Sequence, residues 1–186
     1  GGKAYLAPVI DCNDGMPVAW TIGTSPNAAL ANGMLRDACA TPRPGETPII
    51  HSDRGCHYRW PEWIRICMDN NLTRSMSAKG CSPDNAAAEG FFGRLKQEFF
   101  HRRSFAGVSM DGFIGMLDEY MVWYRDRRLK REFGMSIMDR RRELGLYLIT
   151  YTRGDGERRS RFPWPRSRSA SRRSRTGRYR AIGRVT

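Results

Sequence analysis

The chain has 186 residues, a formal net charge of +13 and 27% charged residues, which suggests one domain with an extension. No apolar run approaches the ~18 residues of a membrane span. The five cysteines include no Cys-x-x-Cys pair, which argues against a disulfide framework and a zinc site and favours a reducing cytosol. The basic charge favours nucleic acid or an acidic surface as a partner.

The N-terminal part of the sequence predicts a β-hairpin followed by a helix. Two apolar runs at residues 3–12 and 17–23 read as strands, and Asn13-Asp14-Gly15 between them tolerates the positive φ of a tight turn. Ser25 then resembles an N-cap, because a proline follows it at the first helical position. This helix should run to about Ala40.

The central part predicts a strand, a helix and another strand, at residues 47–52, 60–70 and 72–77. The first of these strands places Asp53 at its C-terminal end. A flexible loop that contains Lys79 follows the last strand.

The C-terminal part predicts helices and then a tail. Pro83 opens a helix that runs to about His101, a second long helix covers residues 109–131, and a short one covers 140–146. After residue 148 the composition becomes rich in Arg, Ser and Gly, and residues 151–186 hold 12 of the 32 basic residues but 2 of the 19 acidic ones. We therefore divide the chain into a core at 1–148 and a disordered tail at 149–186, which buries too little apolar surface to offset the entropy of ordering.

Two carboxylates are the strongest chemical signal in the core. Asp53 follows a strand and Glu89 lies on a helix, with 35 residues between them. At about 100° per residue, Asn85, Gly93 and Lys96 share the helix face of Glu89. A separate stripe of apolar residues suits burial: Ala88, Phe91, Leu95 and Phe99.

Such a pair of acids could hold divalent metal for phosphodiester chemistry. Two Mg²⁺ ions about 3.5–4 Å apart neutralise the attacking and leaving oxygens, and carboxylates are suitable hard ligands. Taken singly, each acid has an ordinary interpretation. An Asp after a strand is usually a turn residue or cap, and a Glu on a helix is usually solvated.

Three segments together favour the functional interpretation. HSDRG at 51–55, SPDNAAAEGFFGRLKQE at 82–98 and VIDCNDGMPVAW at 9–20 resemble the integrase core of insertion-sequence (DDE-type) transposases, which are relatives of retroviral integrases. The resemblance covers roughly residues 3–146. It implies an α/β fold with a ribonuclease-H-like mixed sheet flanked by helices, and a metal triad of Asp, Asp and Glu.

The resemblance also implies roles for single residues. Asp53 and Glu89 match the second and third metal ligands, for Mg²⁺ or Mn²⁺ in a two-metal site, and so would be the catalytic residues. Lys96 matches the DNA-contacting lysine, and Asn85 matches the asparagine four residues before the glutamate. Lys79 and Arg94 are further candidates for contacting DNA.

The sequence departs from the family at its beginning. The first Asp of the triad belongs to a strand that precedes the hairpin, so neither Asp11 nor Asp14 matches it. We expect that strand, which is central in the five-stranded sheet of the family, to be missing from residues 1–186. The family's Ser-Pro before the last helix is replaced here by Ser136-Ile137.

The predicted function is DNA transposition by metal-dependent cleavage and strand transfer, present here as an inactive fragment. The expected partners are element ends and target DNA, and also a second copy or full-length transposase, in a cytoplasmic, DNA-associated setting without a membrane. The alternative is a non-catalytic remnant that binds nucleic acid or associates with transposase. The Arg-rich tail is either a binding arm or an unselected extension.

Overall fold

A computed structural model describes residues 2–40, 47–52, 59–76 and 86–146, together with the backbone of residues 180–183. Asp53, Lys79 and Asn85 lie outside these residues, and so does most of the predicted tail. The statements below concern the described part of the chain.

The predicted N-terminal hairpin is confirmed. Strands β1 (Tyr5–Asp11) and β2 (Pro17–Gly23) pair antiparallel. The turn between them uses Gly15 at a φ of +74°, a conformation that glycine adopts without the steric cost of a Cβ. The Asp14 carboxylate accepts a hydrogen bond from the backbone N–H of Met16 at 3.1 Å, which fixes the turn from within.

The other predicted helices and strands appear in the predicted order, and three further strands join them. The helices are α1 (Ala28–Cys39), α2 (Pro61–Asp69), α3 (Ala86–Leu95), α4 (Met110–Asp126) and α5 (Ile137–Glu143). The strands are β3 (Ile49–Ser52), β4 (Thr73–Met76), β5 (Leu129–Lys130), β6 (Met135–Ser136) and β7 (Arg180–Gly183). A π-helical turn, Lys96–Phe100, continues α3.

Three helices differ from their predicted boundaries: α5 covers Ile137–Glu143 and not 140–146, and the other two are α1 and α4. The N-cap of α1 is Asn27 and not Ser25, because the Asn27 side chain accepts a hydrogen bond from the backbone N–H of Leu30 at 3.0 Å. Helix α4 ends at Asp126 and not near residue 131. The residues that follow it pair instead as the small β5–β6 hairpin, with Gly134 at a φ of +69° in its turn.

Five strands form the main sheet in the order β2-β1-β7-β3-β4. Strand β7 lies between β1 and β3, antiparallel to the former and parallel to the latter, and β4 is parallel to β3. Strand β7 lies within the segment predicted as a tail, and the division of the chain at residue 148 stays a prediction. The backbone groups of β1 and β3 supply pairing partners that the composition of the tail does not reveal.

The two faces of the sheet bury separate apolar cores. On one face Leu6 and Ile10 of β1 pack with the apolar side chains of α3 and α4. On the other face Ala7 and Val9 pack with α1, α2 and Ile50 of β3. This alternation along one strand is the pattern of a central strand covered on both sides.

The described residues thus form a mixed α/β fold with helices on both faces of a five-stranded sheet, which is the fold class predicted from the sequence. Within the described ranges, each helix is too short or too polar to span a lipid bilayer.

Candidate metal and nucleic-acid site

Helix α3 orients Glu89 by burying the opposite side of the helix. The predicted apolar stripe is confirmed: Ala88, Phe91, Leu95 and Phe99 are all buried. Phe91 packs edge-on against Tyr124 of α4, with ring centroids 5.1 Å apart. Helix α3 also packs against β1 and β7. The helix is therefore held on the sheet, and Glu89 projects from its exposed face.

The described residues leave the surface around Glu89 open. Among the described residues, a Cβ built on Gly93 would meet no atom within 4 Å, and one built on Gly90 would meet the Arg94 guanidinium at 3.3 Å. Among the described residues, the Glu89 carboxylate forms no hydrogen bond or salt bridge. A ligand could therefore approach this carboxylate without displacing an internal partner from the described part of the chain.

The two basic residues predicted on this helix differ in their surroundings. Lys96 is exposed and begins the π-helical turn, in which the N–H of His101 donates to its carbonyl at 3.0 Å. Such turns are frequent at functional sites. The Arg94 side chain lies close to Tyr124 of α4. Burial still raises the pKa of Tyr124, although Arg128 and Arg94 oppose that rise.

The strand that leads to Asp53 is well packed where it ends. His51 and Ser52 are 8% and 4% exposed. His51 Nδ1 lies 3.0 Å from the hydroxyl of Ser75, its register partner on β4. Register across the sheet joins Ile10, Ile182 and His51 in one row, so His51 lies on the sheet face that α3 covers. Residue 53 therefore directly follows a strand whose end is buried.

The structure leaves the predicted metal site incomplete. Of the six predicted site residues it describes Glu89, Arg94 and Lys96, and it does not describe Asp53, Lys79 or Asn85. No three His, Cys, Asp or Glu residues within the described ranges are close enough together to hold a metal ion. Whether Asp53 and Glu89 meet therefore stays a prediction.

Sequence reasoning missed a buried ion cluster at the end of the hairpin. The Arg141 guanidinium of α5 donates to both Asp14 oxygens, at 2.6 and 2.9 Å, and also to Asp11. Lys130 closes the cluster by donating to the Asp14 carbonyl at 2.8 Å. Burial raises the pKa of Asp11, Arg141 opposes that rise, and Asp14 adds to it. Both acids are thus used within the fold.

A second cluster ties α3 to α4. Arg128 donates three hydrogen bonds of 2.6 to 2.9 Å to the Glu98 carboxylate, and the Tyr120 hydroxyl donates to Glu98 at 3.0 Å. Burial, and then the adjacent Glu98 charge, raise the pKa of Tyr120. The only sequence signal for either cluster is a charged residue within an apolar periodic segment.

The fold class and the exposed acid of α3 fit the resemblance, and comparison with known proteins extends it. A family model described as an integrase core domain matches residues 1–82, and a second model of the same description matches residues 89–143. The chain belongs to the integrase-core family of insertion-sequence transposases.

Several transposases are similar to this chain. The probable transposase for insertion sequence element IS1353 of Shigella flexneri is 55% identical over 149 residues, which cover 80% of this chain and 29% of that protein. The putative transposase InsK of IS150 from Escherichia coli is 35% identical, over 69% of this chain and 45% of the relative. The transposase InsF of IS3A from the same organism is 38% identical, over 56% and 36%. The chain spans less than half the length of each of these three relatives.

Proposed function

We propose that this chain is part of a polynucleotidyl transferase that moves DNA, and that Asp53 and Glu89 hold its divalent metal ions. The observation that carries the proposal is the state of Glu89. Its carboxylate is exposed on a helix anchored to the sheet, and it has no partner among the described residues. Three other acids in packed parts of the fold are each paired with an arginine: Asp11, Asp14 and Glu98.

The alternation of β3 supports a meeting of the two acids. His51 lies on the face of the sheet that α3 covers. If the alternation continues past Ser52, residue 53 shares that face with His51, because side chains two residues apart on a strand point the same way. Asp53 would then lie on the side of the sheet from which α3 presents Glu89.

The donor chemistry of the two residues fits Mg²⁺ or Mn²⁺, since carboxylate oxygens are the ligands these hard cations prefer. Bound metal neutralises charge on the attacking and leaving oxygens of a phosphodiester and orients them. The chain would supply the two carboxylates. Lys96, together with Asn85, Lys79 and Arg94, would contact the phosphates of element ends and target DNA.

The sheet topology supports the further proposal that residues 1–186 do not carry a complete catalytic triad. The resemblance places the first acid on the central strand of the sheet. Here the central position belongs to β7, and Arg180–Gly183 contains no carboxylate. We expect the chain of 186 residues to bind DNA without cutting it. Cleavage and strand transfer would require a third acid in the assembled, DNA-associated cytoplasmic complex, from another segment or a further copy of transposase.

Metal binding tests the site without requiring activity. Titration of the chain with Mn²⁺ should broaden the amide NMR signals of α3 near Glu89, because the paramagnetic ion relaxes nearby nuclei. Glu89→Gln should weaken Mn²⁺ binding by at least about tenfold, because a neutral amide replaces a charged ligand. Glu143→Gln, at an exposed position of α5, is the matched control and should leave binding unchanged. Equal Mn²⁺ affinity in both variants would refute the role of Glu89.

A strand-transfer assay tests the catalytic assignment. The protein for this assay needs a third acid, which is supplied by joining the upstream segment of a relative to this chain. Asp53→Asn or Glu89→Gln should abolish transfer while DNA affinity stays the same. Asp69→Asn at the exposed end of α2 is the control. Substantial transfer by either site variant would mean that the two acids are not ligands.

One sequence feature favours the non-catalytic alternative, in which the chain is a nucleic-acid-binding remnant that associates with transposase. Residues 153–178 hold ten arginines and no lysine. If that segment is the binding arm, replacing all ten by serine should remove most DNA affinity and flatten its salt dependence, since electrostatic binding falls steeply with salt. If α3 carries the interface, Lys96→Ala should weaken binding and reduce the salt slope by about one, and Lys3→Ala should not.

A further inference from the structure

A tight turn after the π-helical turn holds an arginine in a conformation that glycine normally takes. The N–H of Arg103 closes the turn by donating to the Phe100 carbonyl at 3.1 Å. His101 has φ −61° and ψ 130°, and Arg102 has a φ of +60°, which are the signs of a type II turn. That turn favours Gly or Asn at the second of these positions. Arg102 therefore carries a steric cost that glycine would avoid.

Packing within the described part of the chain does not account for this arginine. Arg102 is exposed, and its side chain forms no hydrogen bond or ion pair with the residues that the structure describes. The guanidinium of Arg103 instead lies over the ring of Phe99, 5.8 Å from its centroid. Backbone strain that the fold itself does not use is a signal of a functional site.

An exposed aromatic ring begins the same turn. Phe100 is 41% exposed, whereas Phe99 before it is fully buried. Three other rings support Phe100, with centroids 5.0 Å away for Phe99, 5.8 Å for Phe105 and 6.1 Å for Phe113. A ring that is already held in place loses little conformational freedom when a flat ligand stacks on it.

The charge beside this ring is positive. Lys96 and Arg102 are both exposed, and Lys96 precedes Phe100 by four residues, which is about one helical turn. Between these two cations the sequence contains one acid, Glu98, whose carboxylate is bound by Arg128 of α4. An aromatic ring with a cation on either side along the chain matches a nucleic-acid strand, in which phosphates flank each base.

We propose that Phe100 and Arg102 bind a DNA strand at an unpaired base. The base stacks on the Phe100 ring, and the Arg102 guanidinium contacts an adjacent phosphate. The inference rests on the proposed function for its ligand, DNA. Phe100 follows Glu89 by eleven residues, about 16 Å along a helix, which about five nucleotides span at 3.4 Å each. A strand bound at Phe100 therefore reaches the part of the helix that carries Glu89.

Oligonucleotide binding in EDTA tests this site apart from the metal. The chain of 186 residues should bind a duplex with an overhang of about five nucleotides more tightly than a blunt duplex, as measured by fluorescence anisotropy. Phe100→Leu keeps an apolar side chain but removes the aromatic face. It should weaken binding of the overhang duplex by at least about fivefold and leave blunt-duplex binding unchanged. Phe133→Leu, at a half-buried ring of the β5–β6 hairpin, is the control and should alter neither affinity.

Arg102→Gly separates function from structure. Glycine relieves the positive φ, so the thermal denaturation midpoint should stay the same or rise. Binding of the overhang duplex should nevertheless weaken, and its salt slope should fall by about 0.7, the value for one phosphate contact on a single strand. Arg131→Gly removes an equal charge from an exposed position beyond the other end of α4, and should leave the slope unchanged. Lower stability of Arg102→Gly with unchanged binding would mean that this arginine is structural.

Three further outcomes would overturn the proposal. They are equal binding of overhang and blunt duplexes by the parent chain, an overhang affinity that Phe100→Leu does not change, and a shift by Phe100→Leu of a monomer–dimer equilibrium without an effect on DNA. The last outcome would assign this surface to a second copy of the chain. Mn²⁺ binding by Glu89 is a separate readout, so failure of the metal site and failure of the stacking site are distinguishable.

Discussion

Two groups of carboxylates in this molecule differ in how they are neutralised. Asp11 and Asp14 are 4% exposed, and one arginine from a distant helix binds both. Glu89 is exposed on α3, and no residue in the described ranges neutralises it. Buried acids must be paired to persist, so the first pair serves the fold. An acid that is held rigidly and left unpaired remains available to a ligand.

The largest effect should come from removing the shared partner of the buried pair. Arg141→Met keeps much of the side-chain volume but leaves two buried carboxylates uncompensated. Such a loss costs about 3–5 kcal/mol, enough to unfold a marginally stable domain. Urea denaturation measures it, with Arg142→Met on the exposed side of α5 as the control. A loss below about 1 kcal/mol, the range of exposed salt bridges, would show that the cluster is solvated in solution.

The pH dependence of stability sharpens the comparison. The pKa of Asp11 is raised in the folded protein by burial, so the native state holds this proton more tightly than the unfolded chain does. Its contribution to the free energy of unfolding therefore falls as pH rises from its ordinary value of 3.8 through the raised value.

Asp11→Asn cannot titrate and should lose this contribution. The stability of the parent relative to Asp11→Asn should thus increase as pH is lowered through that window, as followed by denaturation at several pH values. A difference that stays constant with pH, or that shrinks at low pH, would contradict the raised pKa.

The smallest effect on stability is expected at Glu89. Glu89→Gln removes no partner among the described residues and should change the free energy of unfolding by no more than about 0.5 kcal/mol. Thermal denaturation without added metal measures this. A loss of 2 kcal/mol or more would mean that the carboxylate has a structural partner, and the contrast with the buried pair would disappear.

Local sequence signals predicted the elements that depend on local interactions. The hairpin follows from two apolar runs around Asn13-Asp14-Gly15, and the buried stripe of α3 follows from its periodicity. The α1 cap was misplaced because Ser25 before a proline and Asn27 are both acceptable local signals. Only the packed structure decides between them.

Long-range pairing could not be predicted. Arg141 meets Asp11 across a separation of 130 residues, and no local rule indicates that contact. The strand at Arg180–Gly183 was missed because the Arg-rich segment before it indicates disorder, whereas its ordering depends on backbone groups of β1 and β3. The approach of Asp53 to Glu89 remains a prediction from motif, spacing and strand alternation.

The sheet order also has a kinetic consequence. Most of the described pairings can form early, because β1 meets β2 within one hairpin and β3 meets β4 across one helix. The middle of the sheet instead joins Ile10 to Ile182, residues at nearly opposite ends of the sequence. Contacts of such high sequence separation slow folding, since much of the chain must lose conformational entropy before these contacts add stability. Refolding should thus show a fast phase that builds the two outer strand pairs, and a slow phase in which the centre of the sheet closes last.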